Sequence, residues 1–386
     1  MGRAADSTSQ PMSDSSGDVP IEHRSHLLAD GREAIFFSDR GAAVVEQVVD
    51  TRPLSERSGH GQVRFDRLTG DWVAVAAHRQ GRTYLPPADE CPLCPSVGGR
   101  ASEIPAEDFH VVAFENRFPS LGPELGELPS PEGAMGRELW GAPSSAYGRC
   151  EVLVYTPEHE GSFGTLPFER ARTVVEAWAQ RTEALSAMTG IRHVFPFENR
   201  GEQIGVTLHH PHGQIYAYPY DAPTAARMAE RSRAHLGATG RPLMGELLHD
   251  ETEAGDRMVL TGDHFSAYVP YAARWPLEVH LVPHRQLPDL AALTGNERDE
   301  LAVLYRDLVQ RVDRLYSTPT PYIAAWHQTP ITTADREAGW LHLQLTSPRR
   351  AEDKLKFLAG SEAAMGAFIN DITAEQTAER LRQAAS

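Results

Sequence analysis

The chain has 386 residues, of which 41% are hydrophobic, and both values fit a soluble protein with one large or two ordinary domains. Its 37 basic and 53 acidic side chains give a formal net charge of −16, which argues against a nucleic-acid-binding surface. A small phosphorylated ligand is still compatible with this charge, because one local cluster of arginines suffices to bind it.

The cysteine count and the lack of targeting signals bear on the compartment. Cys91, Cys94 and Cys150 are odd in number and include a Cys-x-x-Cys pair, so they do not form a disulfide framework and favour a reducing compartment. No apolar run approaches the length of a membrane span, and the N-terminus lacks the order of a signal peptide. We therefore expect a cytoplasmic protein.

The first half of the chain predicts a tail, several strands and one long helix. Residues 1–20 are rich in Ser, Asp, Gly and Pro and predict a disordered tail, and residues 21–60 have enough apolar positions for an edge element. Apolar residues at helical spacing predict a helix over 167–188, and many Gly, Pro and Glu residues predict a long loop over 120–147. Alternating apolar residues predict a hairpin and three strands, over residues 63–77, 111–113, 151–155 and 192–197.

The second half repeats this plan, which predicts an internal duplication and an α+β fold. A helix over 296–316 corresponds to the first long helix, and a final amphipathic helix covers 373–385 after a Thr373 cap. The segment Glu278–His284 is similar to Glu151–His159. The predicted strands cover residues 265–269, 278–284, 322–326 and 340–345.

Two short motifs could bind a phosphate and a metal. Arg79 and Arg82 follow the predicted hairpin and suit a di- or triphosphate, although an ordinary solvated loop has the same composition. Cys91 and Cys94 can supply two thiolates to one tetrahedral metal, for which zinc is the usual choice. A redox motif is the alternative, but no thioredoxin-like strand and helix surround the pair.

The densest group of chemically active residues is the sequence His-His-Pro-His-Gly-Gln at 209–214, where a glycine-bearing loop enters a predicted strand. A neutral imidazole is a nucleophile and a metal ligand near neutral pH, and Pro211 rigidly separates two of the rings. Gly213 lets a ligand approach the backbone, and the Gln214 amide donates hydrogen bonds without adding charge, as a phosphoryl oxygen requires. The alternative is a run of core or surface histidines, each of which would need a partner.

The segment His210–Gln214, with Phe197–Gly201 upstream, resembles the active-site signature of the galactose-1-phosphate uridylyltransferase family. That family belongs to the histidine-triad superfamily. The resemblance covers about residues 60–380 and implies a duplicated histidine-triad-like unit with a mostly antiparallel sheet flanked by helices. It further implies an N-terminal half, residues 21–235, with the nucleophile and a zinc site, and a C-terminal half, residues 236–386, that contributes sugar-binding residues.

The resemblance implies that the enzyme transfers UMP from UDP-glucose to galactose-1-phosphate, in the Leloir pathway of galactose metabolism. A ping-pong mechanism would pass through a uridylyl-His212 intermediate steadied by Gln214. Other histidine-triad branches have a third histidine where Gln214 stands, and a glutamine cannot do acid–base work. The alternatives are a related nucleotide-sugar phosphorylase, a nucleotidyltransferase with another sugar-phosphate acceptor, and a non-catalytic zinc-stabilised binding module.

The resemblance also implies a zinc site and a set of substrate-binding residues. The zinc ligands would be Cys91, Cys94, His159 and His210, and four protein ligands make such a site structural. The family takes Lys356, Phe357 and Glu362 from the partner subunit to bind the sugar phosphate, which implies a homodimer. Arg117 has no assigned role. The full set of implied substrate-binding residues is Arg79, Arg82, Asn116, Asn199, Gly205, Thr207, Lys356, Phe357 and Glu362.

A second metal, which some family members bind, would fall at His327 and His342. The next expected histidine is Gln344 here, and glutamine is a poor ligand for a borderline metal. The sequence therefore argues against this second site. Hydrogen-bonded histidines in a small polar core are the alternative.

Overall fold

The computed structural model describes residues 20–54, 61–76, 85–122 and 144–385. The predictions for residues 1–19, for Arg79 and Arg82, and for most of the loop over 120–147 lie outside these ranges. Among the described residues, no helix combines the length and apolarity that crossing a bilayer requires.

Sixteen strands and seven α-helices cover most of the described chain. The strands are β1 His23–Leu27, β2 Glu33–Phe37, β3 Gln62–Asp66, β4 Asp71–Val75, β5 Val111–Glu115, β6 Ser144–Ser145, β7 Arg149–Val154, β8 His193–Arg200, β9 His212–Tyr218, β10 Met258–Thr261, β11 Phe265–Tyr268, β12 Leu277–Pro283, β13 Tyr322–His327, β14 His342–Ser347, β15 Arg349–Ala351 and β16 Lys354–Leu355. The helices are α1 Phe168–Ser186, α2 Pro223–Thr239, α3 Leu243–Ala254, α4 Gly295–Arg314, α5 Thr333–Ala338, α6 Gly360–Met365 and α7 Ala374–Gln383.

Eleven strands form one sheet in the order β1-β2-β5-β7-β9-β8-β13-β14-β12-β11-β10, and every neighbouring pair is antiparallel. The order reads the same way outward from the central β8–β13 pair, because β9 and β7 on one side correspond to β14 and β12 on the other. Helices α1 and α4 occupy equivalent connections, from β7 to β8 and from β12 to β13. These features confirm the predicted α+β class and its mostly antiparallel sheet, while the boundary between the two halves at 235 stays a prediction.

The two faces of the sheet have different coverings. Helices α1 and α4 pack on one face, where Ile215 of β9 and Leu343 of β14 belong to the main hydrophobic core. Successive side chains of a strand point to opposite faces. His212 and Gln214 therefore lie on the face away from α1 and α4. This alternation places the predicted nucleophile on the face of the sheet that α1 and α4 do not cover.

The sequence did not predict α2 and α3, although Leu243, Met244, Leu247 and Leu248 of α3 recur at helical spacing. Only Ala225 and Ala229 of α2 are buried, so the 3.6-residue periodicity of an amphipathic helix is weak there. The glycines at the C-terminal ends of both helices were a clearer sequence signal. Gly240 and Gly255 follow the two helices with φ of 73° and 75°, the left-handed conformation that glycine adopts readily at a helix end.

Candidate active site and metal centre

The ring of His212 is fixed by a carbonyl of its own segment. His212 is the first residue of β9, and its Nδ1 lies 2.7 Å from the backbone oxygen of His210. A carbonyl only accepts hydrogen bonds, so Nδ1 carries the proton and Nε2 keeps its lone pair. Burial lowers the pKa of His212, which favours the neutral ring. His212 is thus a neutral imidazole with one unprotonated nitrogen, which is the nucleophilic form.

His212 borders a cleft of about 460 Å³, a volume typical of a small-molecule site. Gln214, on the same strand face, also lines it, and its Oε1 accepts a hydrogen bond of 3.3 Å from the Tyr216 hydroxyl. A second cavity of about 190 Å³ meets His212 near Arg200 and His209. The larger cleft is lined by all four of the remaining predicted residues of the N-terminal half, namely Asn116, Asn199, Gly205 and Thr207.

Gly213 is required for a different reason from the predicted one. Its missing side chain would point to the helix-covered face, where a Cβ would lie 2.3 Å from the Tyr155 hydroxyl and 3.1 Å from the Phe197 oxygen. The expectation that Gly213 admits a ligand is therefore wrong. The space is filled by Tyr155, which is fully buried under β9.

Four predicted metal ligands converge beside this strand. One ligand atom from each of Cys91, Cys94, His159 and His210 can be chosen so that all lie within 4.8 Å of one another. The Cys94 sulfur lies 3.4 Å from Nδ1 of both histidines, and the Cys91 sulfur lies 3.9 Å from Nδ1 of His210. Tetrahedral zinc with ordinary bond lengths would hold sulfur and nitrogen ligands about 3.6 Å apart. The group could therefore hold a metal ion of this size.

The orientation of His210 supports the same conclusion. Its Nε2 donates to the backbone oxygen of Thr156 at 2.8 Å, which leaves the Nδ1 lone pair directed at the two sulfurs. Burial lowers the pKa of His210 to about 4 and raises that of the Cys91 thiol to about 11. A buried cation would favour the thiolate that this environment otherwise disfavours.

Comparisons with known proteins agree with this geometry. The family profile described as "Galactose-1-phosphate uridyl transferase, N-terminal domain" matches residues 52–221, and the profile for the C-terminal domain matches residues 227–386. The chain belongs to the galactose-1-phosphate uridylyltransferase family. It is 42% identical over 380 residues to a galactose-1-phosphate uridylyltransferase of Streptomyces lividans, covering 95% of this chain and 98% of that protein.

Two further relatives align with this chain over nearly their whole length. The Thermotoga maritima galactose-1-phosphate uridylyltransferase is 34% identical, with 83% of this chain and 98% of that protein aligned. A solved structure titled "Structure of uridylyltransferase" superposes with a TM-score of 0.73 at 28% identity, covering 84% of this chain and 98% of that chain. The family and the fold expected from the histidine motif are thereby confirmed.

The second half of this family member contains a changed copy of the same motif. His342 opens β14 as His212 opens β9, and its Nδ1 lies 3.1 Å from the Trp340 oxygen. Its Nε2 lies 3.2 Å from the Gln344 amide nitrogen, which donates to it. The lone pair that is available in His212 is therefore occupied in His342. His327 stacks on His342 with ring centroids 5.1 Å apart, and whether this pair binds a metal stays untested.

The predicted sugar-binding residues lie apart from the cleft at His212. The Lys356 ammonium pairs with Glu362 at 2.9 Å, and both side chains are buried. The Phe357 side chain is 77% exposed. None of the three lines the cleft of this chain. Their role stays a prediction.

Sequence reasoning missed the backbone oxygen of His210 and the side chain of Glu103. A pattern of residue types indicates the two histidines but not which carbonyl sets their tautomers. Glu103 lines the cleft although it stands in a segment without a motif. The sequence indicated Glu103 only as an acidic residue near the Cys-x-x-Cys pair.

Proposed function

We propose that the protein transfers UMP from UDP-glucose to galactose-1-phosphate through a covalent intermediate on His212. The observation that carries the proposal is the 2.7 Å contact between Nδ1 of His212 and the His210 oxygen, because it leaves Nε2 unprotonated beside an open cleft. Membership of the uridylyltransferase family supports the reaction class.

The reaction has two displacements at the same phosphorus. The Nε2 lone pair forms a nitrogen–phosphorus bond with the α-phosphorus of UDP-glucose, and glucose-1-phosphate leaves with the electron pair of the bridging bond. An oxygen of galactose-1-phosphate then attacks the phosphorus, and the nitrogen–phosphorus bond breaks to release UDP-galactose. The first leaving group, glucose-1-phosphate, is a stabilised anion, and the second is the neutral imidazole of His212. Neither needs a proton to leave, so no general acid is required.

Two amides would stabilise the phosphoryl oxygens during these steps. Gln214 and Asn199 both line the cleft with His212, and each can donate hydrogen bonds without changing its charge. Because neither titrates near neutral pH, neither can deliver a proton that would speed hydrolysis of the intermediate. Arg79 and Arg82 would add positive charge near the diphosphate.

Zinc is the metal that best matches the Cys91, Cys94, His159 and His210 donor set, because two thiolates and two imidazoles are a common tetrahedral zinc environment. With four protein ligands it would stabilise the fold and carry no open position for substrate. We place the protein in the cytoplasm, where its three free cysteines would stay reduced.

We also propose a homodimer in which the segment 354–369 of one subunit completes the site of the other. Phe357 would then reach the sugar phosphate of the partner subunit directly, whereas Lys356 and Glu362 would exchange their buried ion pair for contacts with it. The segment exposes a cluster of large apolar side chains, which is typical of a surface that a partner covers. These side chains are Phe357, Leu358, Met365 and Ile369. Light scattering of the purified protein measures its mass directly, and a monomer under assay conditions would contradict this arrangement.

The covalent step has a direct test. Protein incubated with UDP-glucose labelled in the uridine and then digested should yield one labelled peptide, which contains His212. His212→Ala should be unlabelled and inactive, whereas His209→Ala, which alters an exposed neighbouring imidazole, should label normally. Labelled UMP on any other residue, or no label on the wild type, would exclude the mechanism.

The acceptor assay separates the proposed reaction from its relatives. Labelled enzyme should release UDP-galactose with galactose-1-phosphate, and it should release little UDP with inorganic phosphate. A preference for phosphate would identify a nucleotide-sugar phosphorylase. If His212→Ala has the same activity and ligand binding as the wild type, the catalytic interpretation is wrong.

A further inference from the structure

A second large cavity lies on the same face of the sheet as the His212 cleft, but in the C-terminal half of the chain. Its volume is about 470 Å³, close to the 460 Å³ of the cleft. Helices α2 and α3 form one wall of this cavity, and strands β11 to β14 form its floor. We call it the C-terminal cavity. No step of the proposed reaction uses it.

The C-terminal cavity is the counterpart of the cleft under the internal duplication. Phe197 of β8 lies opposite Ala325 of β13 at the centre of the sheet. The two residues hold equivalent places, because Phe197 pairs with Gln214 and Ala325 pairs with Gln344. The same register relates residues of the cleft to residues of the cavity in order, namely Phe114, Val152 and Asn199 to Tyr268, His280 and His327.

The floor of the C-terminal cavity presents neutral imidazoles. Burial lowers the pKa of His327 well below its ordinary value and the pKa of His342 to about 3, so neither ring is a cation. Within the described part of the chain, neither ring nitrogen of His327 has a hydrogen-bond partner. A neutral imidazole has one N–H donor and one acceptor nitrogen. His327 therefore offers both kinds of hydrogen bond to a ligand in the cavity.

The ring nitrogens of the floor are better placed for an organic ligand than for a metal ion. Both nitrogens of His342 are engaged, one by the Trp340 oxygen and the other by the Gln344 amide. Among the residues that the structure describes, the single group with metal-binding geometry is the one around Cys91. Because His342 has no free lone pair, the cavity also lacks the nucleophile of the cleft. Binding without catalysis is the function that remains.

Three arginines at the rim of the C-terminal cavity supply positive charge. Arg227 and Arg231 lie about one turn apart on α2, and Arg274 lies between β11 and β12. All three are exposed, and none forms an ion pair within the described ranges. The carboxylates that line the cavity are engaged, since Glu251 has an arginine partner at 2.7 Å and Glu278 accepts a backbone N–H at 2.6 Å. The rim therefore attracts an anion.

We propose that the C-terminal cavity is a non-catalytic binding site for an organic phosphate, with the phosphate at Arg227 and Arg231 and the rest of the ligand hydrogen-bonded to His327. The inference goes beyond the proposed reaction and does not depend on it. Two guanidinium groups bind phosphate oxygens through charge-assisted hydrogen bonds. Tyr268 and Trp340 supply aromatic walls for a sugar ring or a base. A sugar phosphate and a nucleotide share this chemistry, and the test separates them.

Equilibrium dialysis with labelled UMP, glucose-1-phosphate or inorganic phosphate counts the sites on the purified protein at low ionic strength. The double variant Arg227→Met/Arg231→Met should lose one site per chain, or weaken it at least about tenfold, and should keep the melting temperature of the wild type because both side chains are exposed. If the lost site prefers glucose-1-phosphate, the ligand is a sugar phosphate, and if it prefers UMP, the ligand is a nucleotide. Arg241→Met, which removes an exposed arginine outside the cavity, is the matched control and should bind as the wild type does.

A second set of variants tests the floor. His327→Phe keeps an aromatic ring against His342 but removes both ring nitrogens, so it should weaken binding of the ester severalfold and leave inorganic phosphate unaffected. His327→Asn, which introduces the residue found at the counterpart Asn199, restores a donor and an acceptor and should bind the ester more tightly than His327→Phe. Equal effects of His327→Phe on the ester and on inorganic phosphate would refute the contact with the floor.

The remaining outcomes separate this inference from the proposed function. One site in the wild type and none in the double variant would support the C-terminal cavity and show that the His212 cleft does not hold the ester, which contradicts the proposed function. Equal numbers of sites and equal affinities in both proteins would overturn the inference and leave the transferase mechanism intact. A wild type that binds none of the three ligands would also overturn the inference, while labelling of His212 by UDP-glucose still decides the reaction.

Discussion

Glu198 should make the stability of this protein depend on pH. Its side chain lies in the interior beneath β8, only 5% exposed, and accepts hydrogen bonds from the hydroxyls of Tyr322 at 2.6 Å and Tyr305 at 3.1 Å. Burial raises the pKa of Glu198 from 4.5 to about 7, although the two hydroxyls and Arg200 oppose this effect. The folded protein therefore holds a proton on this carboxyl at pH values where the unfolded chain has lost it.

The sign of the effect follows from this difference. Because the pKa is higher in the folded state, the stabilisation is complete below pH 4.5 and is lost as the pH rises through about 7. A pKa difference of about 2.5 between the two states corresponds to about 3 kcal/mol in the free energy of unfolding. Glu198→Gln keeps one acceptor oxygen and has a donor in place of the other, as the protonated carboxyl does, but it cannot ionise, so it should lack this dependence.

Urea unfolding of both proteins at about pH 5 and about pH 8 measures the effect. The free energy of unfolding of Glu198→Gln, relative to the wild type, should rise by about 2.5 kcal/mol between the two pH values, because the unfolded carboxyl is already partly ionised at pH 5. Glu151→Gln is the control, because Glu151 is equally buried but binds Arg181 through two contacts of 2.9 Å. It should destabilise the protein at both pH values, since it leaves a buried cation without its partner. A constant difference between Glu198→Gln and the wild type would refute the reasoning, because it would mean that Glu198 ionises at its ordinary pKa.

Three further predictions concern the strand of the nucleophile and the metal centre. Gly213→Ala should lower kcat at least tenfold by forcing β9 away from Tyr155, and adding Tyr155→Phe should recover part of the loss. Equal kcat values in Gly213→Ala and the wild type would contradict the 2.3 Å distance between a Cβ at this position and the Tyr155 hydroxyl. Cys94→Ser should lower the bound zinc well below one ion per chain, measured by plasma emission spectrometry, and lower the melting temperature by several degrees, whereas full zinc occupancy would exclude the four-ligand site. Gln214→His should shorten the lifetime of the uridylyl-His212 intermediate in water, because it adds a proton donor that speeds hydrolysis. The lifetime is measured as release of labelled UMP, and an unchanged lifetime would show that the neutral amide of Gln214 does not protect the intermediate.

The sequence predicted those parts of the site that depend on residue type and spacing. The resemblance to the family implied the ligand group Cys91, Cys94, His159 and His210, and the alternation of apolar residues predicted the strand that begins at His212. The hydrogen bonds were not predictable, because the partner of each imidazole is a backbone oxygen whose direction depends on the fold. The ion pairs of Glu103 join positions 32, 52 and 117, and no local pattern connects residues so far apart.

His210 connects the proposed metal site with His212, the proposed nucleophile. His210 offers Nδ1 to the ligand group, while its backbone oxygen accepts the proton of His212 Nδ1. A metal that holds the His210 ring therefore also holds the carbonyl that selects the reactive tautomer two residues later. In His342 the same carbonyl contact is present, but the Gln344 amide occupies the other ring nitrogen, so its lone pair is not available. In β9, Gln214 accepts a hydrogen bond from the Tyr216 hydroxyl and does not donate to His212. The Nε2 lone pair of His212 is therefore available for the proposed attack on phosphorus.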